Sequence, residues 1–248
     1  MSSFDNIVAH IRNMTSINGI KELIDKDPDV MLKFDEKHMT LLDYCICFRG
    51  EMLIDNLIKT YRPPLTFTVE AKHNPYIFHA YEHKKYNTLE VLLNNGADPN
   101  EKDENGVPML NTTATDHDMK ALGILLRCDK TDINITDSEN CNAALHAAKR
   151  NRGDVLVLLM HHKIDINHAD EVGMTPLMHA ALANARKCIE LLVKNGVKLN
   201  ERDADGLTAL NYALLGNDKK CIDYLVEHGA EKYIEFDDVK EHTTVKRM

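Results

Sequence analysis

The sequence of 248 residues predicts an all-α chain of about seven stacked helix-turn-helix units, and three periodic features carry that prediction. Asp-rich turns recur as DENG at Asp103–Gly106, DSEN at Asp137–Asn140, DEVG at Asp170–Gly173 and DADG at Asp203–Gly206, their starts 34, 33 and 33 residues apart. A short segment rich in small residues follows the last three turns, as ALHAA at Ala144–Ala148, LMHAA at Leu177–Ala181 and LNYAL at Leu210–Leu214. Apolar pairs at Leu158-Leu159, Leu191-Leu192 and Tyr224-Leu225 then repeat every 33 residues.

Each element can be justified in chain order. Phe4–Met14 and Ile17–Lys26 read as a first helix pair, stopped by Asp27-Pro28-Asp29. Asp35–Tyr61 follows with Thr40-Leu41-Leu42, Cys45 and then Leu53, Ile54, Leu57 and Ile58 at helical spacing. Arg62–Phe67 is a proline-containing connector. From Glu70 onward the units are regular and close on LLNNGADPN, LLVKNGVKLN and YLVEHGAE, with Gly96, Gly196 and Gly229 where helices end. Gly106, Gly173 and Gly206 suit a turn that needs positive φ, and Asn140 is the best replacement there. Thr175-Pro176 supplies a hydroxyl cap and a proline at a helix start. No unit can bury its own apolar face, so stacking predicts one domain over 1–235. Its parts are a degenerate cap at 1–32, an irregular unit at 33–69 and regular repeats at 70–235, followed by a polar tail at 236–248.

The residues at Asp170–Asn200 resemble the ankyrin repeat, whose pattern is D-x-x-G-x-T-P-L-H-x-A-A, then L-L, then G-A-D-x-N. Asp203–Glu231 follows it nearly as well, and Asp137–Asn167 departs at Asn140. The resemblance implies an ankyrin solenoid with short hairpin fingers and a protein-binding face made of those fingers and the first helix of each unit. Carried over by position, it makes Glu139, Cys141, Glu171, Val172, Met174, Leu182, Asp205, Leu207 and Leu215 the candidate partner contacts. It also implies that the unit-ending asparagines tie neighbouring turns, and that Asn100, Asn167 and Asn200 are candidates for asparaginyl hydroxylation.

Composition and motifs narrow the function. A net charge of −9 argues against a general nucleic-acid binder, and no apolar run is long enough to span a membrane. The start, MSSFDNIVAHIRNM, shows no secretory signal, so six unclustered cysteines read as reduced thiols in the cytoplasm, with the nucleus as a further location. No phosphate loop, dinucleotide fingerprint, H-E-x-x-H or G-x-S-x-G appears, so no enzyme, cofactor or metal is expected. His79 and His83 have zinc-like i,i+4 spacing but read as structural, and Cys45-x-Cys47 lacks a second pair. Cys188 and Cys221 read as buried, and Cys141, on a predicted turn, is the best candidate for an exposed, modifiable thiol. The expected function is an adaptor, inhibitor or regulatory subunit whose protein partner offers a basic or apolar segment. A pathogen effector using the same face and an enzyme or metal-dependent protein are the rival classes.

Overall fold

The computed structural model describes residues 2–13, 15–65 and 75–231. The expected connector beyond Leu65 and the polar tail lie outside them. Fourteen α-helices run through the described residues, without a strand. They are α1 (Ser3–Arg12), α2 (Ile17–Asp25), α3 (Leu41–Phe48), α4 (Glu51–Tyr61), α5 (Tyr76–Glu82), α6 (Tyr86–Asn94) and α7 (Met109–Asp116). The rest are α8 (Met119–Arg127), α9 (Ala143–Lys149), α10 (Gly153–His161), α11 (Pro176–Leu182), α12 (Arg186–Lys194), α13 (Ala209–Gly216) and α14 (Lys219–Glu227). A 3₁₀ turn over Pro28–Leu32 follows α2, where the sequence predicts only a stop.

Local chemistry starts these helices. The Thr175 hydroxyl accepts from the Met178 amide with Pro176 just inside α11, Thr208 does the same for α13, and Asn142 takes two amides of α9. Thr40 and Asp43 close a reciprocal capping box on α3. Each such cap contributes about 1 kcal/mol.

The described residues divide into two compact units, one made of those up to 109 with 120–131, the other of 110–119 with 132–231. In the first, α3 packs between α1 and α5, and α4 packs on α6. Its interior holds Ile7, Ile11, Ile20, Ile24, Leu53, Ile54 and Leu57, all spaced to share a helix face. In the second, α11 packs between α9 and α13, while α12 packs between α10 and α14. First helices therefore stack on first helices and second on second. Buried Ala147, Ala148, Ala180, Ala181 and Ala213 permit the close approach, and Leu145, Leu156, Leu177, Ile189, Leu192 and Leu225 fill the layer. Each buried leucine or isoleucine stabilises the stack by about 1.5–3 kcal/mol. Cys188 and Cys221 lie in this layer as expected, and burial pushes both thiols up to about 11.

Candidate partner-binding face

One aspartate builds each turn. Asp170 Oδ1 accepts the amides of Val172 (3.2 Å) and Met174 (2.9 Å), while the Asp170 amide donates to the Met174 carbonyl. Asp137 binds Glu139 and Cys141 in the same way, and Asp203 binds Asp205 and Leu207. The third residue after each aspartate has positive φ: Asn140 at 56°, Gly173 at 82° and Gly206 at 78°. The remaining carboxylate oxygen takes a side chain nine residues on. His146 Nε2 donates to Asp137 at 2.7 Å, His179 Nε2 to Asp170 at 2.7 Å, and the Tyr212 hydroxyl to Asp203 at 2.5 Å. These bonds lock each finger to its own first helix. Burial holds the His179 imidazole below its ordinary pKa, so it donates as a neutral ring.

This lock corrects three expected contacts. Met174 is 6% exposed, Leu207 1% and Cys141 0%. Each is the closing residue of its turn, bonded through both amide and carbonyl to the aspartate and placed at or just before the helix cap. It sits at the base of the finger and packs inward. Cys141 is therefore not an exposed thiol; burial raises its pKa despite the Lys149 ammonium 3.3 Å away.

The tips remain outside. Glu139, Glu171 and Val172 are exposed, Asp205 and Leu215 half-buried, and Leu182 on α11 is exposed. Backbone bonds join successive tips, from the Glu171 amide to the Glu139 carbonyl (3.1 Å) and from the Ala204 amide to the Val172 carbonyl (3.0 Å). The ridge is thus held by the backbone as well as by its side chains. A second ladder runs along the other turns. Asn134, Asn167 and Asn200 accept the amides of Asp165, Lys198 and Glu231 at 2.8–2.9 Å, 31 residues on. Asn100 donates to the Lys130 carbonyl at 2.9 Å. The half-buried Asn100, Asn167 and Asn200 all carry this tie.

In the first unit His79 and His83 take separate partners. His79 Nδ1 lies 2.8 Å from Asp43 Oδ1, which raises its pKa, and His83 Nε2 lies 3.3 Å from Cys47 Sγ. Cys45 is buried with its thiol pushed up to about 12. A signal the sequence reading missed also lies here. Asp35 accepts the amides of Lys37 and Met39 and the hydroxyl of Tyr44, the arrangement at Asp203 and Tyr212. Both pairs share the nine-residue spacing, which was visible in the sequence.

Among curated proteins no sequence matches the chain. A family model described as ankyrin repeats (3 copies) matches residues 77–170 and 165–235, more than half of the chain. With the recurring aspartate-locked turns and stacked helix pairs, this chain belongs to the ankyrin-repeat family.

Proposed function

We propose that the chain is a non-enzymatic interaction module, an adaptor, inhibitor or regulatory subunit, that docks a partner protein on the fingers and first helices of residues 132–231. Ankyrin repeats are in general protein–protein interaction modules. One observation carries the choice of face. Glu139 and Glu171 stand exposed on adjacent, backbone-linked tips, and neither forms an ion pair among the described residues. Beside them Val172 is 43% and Leu182 37% exposed. A small apolar patch rimmed by carboxylates fits a protein segment that combines lysine or arginine with an apolar anchor. The carboxylates would speed encounter, and salt would slow it. No helix among the described residues is long and apolar enough to cross a membrane.

The test is affinity capture with wild type, Val172→Glu/Leu182→Glu and Glu139→Lys/Glu171→Lys, all first shown to melt alike. A partner held by wild type and lost by both variants supports the face. A partner held equally by all three places the interface elsewhere.

A further inference from the structure

We propose that Asp137, Cys141 and His146 form a binding site for a borderline-soft divalent cation of the zinc type. The site is independent of the docking face, since it lies at the base of one finger rather than at the tips. Asp137, Cys141 and His146 each offer one donor atom, and the three atoms lie within 4.8 Å of one another. The His146 Nε2–Asp137 Oδ2 edge is already 2.7 Å.

The turn fixes these donors before any ion arrives. Asp137 Oδ1 holds the Cys141 amide at 2.9 Å and the Glu139 amide at 3.0 Å, which leaves Oδ2 facing the imidazole. Comparison with the other turns isolates what is special. The aspartate lock recurs at Asp35, Asp103, Asp170 and Asp203, but the closing residue there is Met39, Val107, Met174 or Leu207. Of these five described turns, only the one at Asp137 closes on a thiol. A cationic group already stands beside that thiol, with Lys149 Nζ 3.3 Å from Sγ.

The donor set selects the ion. Imidazole, thiolate and carboxylate together suit Zn²⁺ or Co²⁺, whereas Ca²⁺ and Mg²⁺ prefer all-oxygen shells. On binding, the thiol gives up its proton to solvent, and the proton on His146 Nε2 passes through water to Nδ1, so that Nε2 of the neutral imidazole binds the ion in place of its hydrogen bond to Asp137. Lys149, half-buried on a flexible stem, turns outward and leaves a fourth position for water. Because a proton is released, binding weakens as the pH falls.

The test is a Co²⁺ titration of the reduced full chain, followed by the near-ultraviolet thiolate-to-cobalt charge-transfer band and by displacement with Zn²⁺. Two variants borrow residues that the other turns use in the same positions. Cys141→Val copies Val107, and His146→Tyr copies Tyr44 and Tyr212, so both keep the turn while removing a ligand. The proposal expects a band that saturates at one equivalent in wild type and is lost in both variants, with tighter binding in Lys149→Met. Absence of a band in wild type, or a band kept by both folded variants, would overturn it.

Discussion

The turn at Asp35 and the turn at Asp203 have little sequence in common, yet they make the same bonds. In each, one carboxylate oxygen takes the amides two and four residues on, and the other takes a tyrosine hydroxyl at 2.5 Å. They differ at the third position, where Asp203 is followed by Gly206 at φ 78° and Asp35 by His38 at φ 57°. The carboxylate, not the glycine, therefore defines the turn, and glycine only lowers its conformational cost. They differ also in depth. Asp203 is buried and Asp35 half-exposed, while Tyr44 and Tyr212 are both buried.

That contrast can be broken first at the carboxylates. Asp203→Ala removes three hydrogen bonds and strands a buried tyrosine hydroxyl, and should destabilise the protein by about 3 kcal/mol in urea unfolding. Asp35→Ala should cost about half as much, because water can replace the lost partner. Equal losses would show that burial does not grade the lock.

Glycine itself offers a smaller test. A Cβ at Gly173 would meet the Ala204 nitrogen at 3.0 Å and Asp203 Cα at 3.1 Å, whereas one at Gly206 meets nothing within 4 Å. Both positions have positive φ, so Gly206→Ala should cost about 1 kcal/mol and Gly173→Ala clearly more. Matching melting temperatures for the two variants would mean that the fingers are not in contact as described. In the opposite sense, His38→Gly should stabilise by about 0.5 kcal/mol in the same assay.

The two regions also treat one helix position oppositely. His79 and His179 are each the fourth residue of a first helix. The hydrogen bond that His79 donates to the Asp43 carboxylate raises the first, and burial lowers the second. His79 therefore adds stability that is present below the ordinary histidine value near 6.5 and is lost as pH rises through its own raised value. His179 adds stability present above that value and lost as pH falls through its own lowered one. Imidazole proton resonances should titrate on opposite sides of about 6.5. Titration on the same side would remove the contrast.

Much of this architecture is legible in the sequence. The 33-residue spacing locates the helix pairs, Thr175-Pro176 marks a helix start, and Gly106, Gly173, Gly206 and Asn140 all take the positive φ expected of them. The binding face is legible only in part. The resemblance makes Cys141, Met174 and Leu207 partner contacts, but a slot that reads Met39, Val107, Cys141, Met174 and Leu207 in five turns is apolar throughout. That uniformity is the mark of an inward-facing position. The double bond to the aspartate, which enforces it, is a three-dimensional fact that linear spacing does not display.

The most direct test of the proposed face uses the protein's own exposed apolar residues as controls. Val172 and Leu182 belong to the fingers and first helices, while Val157 on α10 and Val226 on α14 are comparably exposed on second helices. A photoreactive phenylalanine analogue placed at each position in turn would be irradiated with the captured partner. Adducts from 172 and 182 and none from 157 and 226 are the predicted result; adducts from 157 or 226 alone would contradict the account.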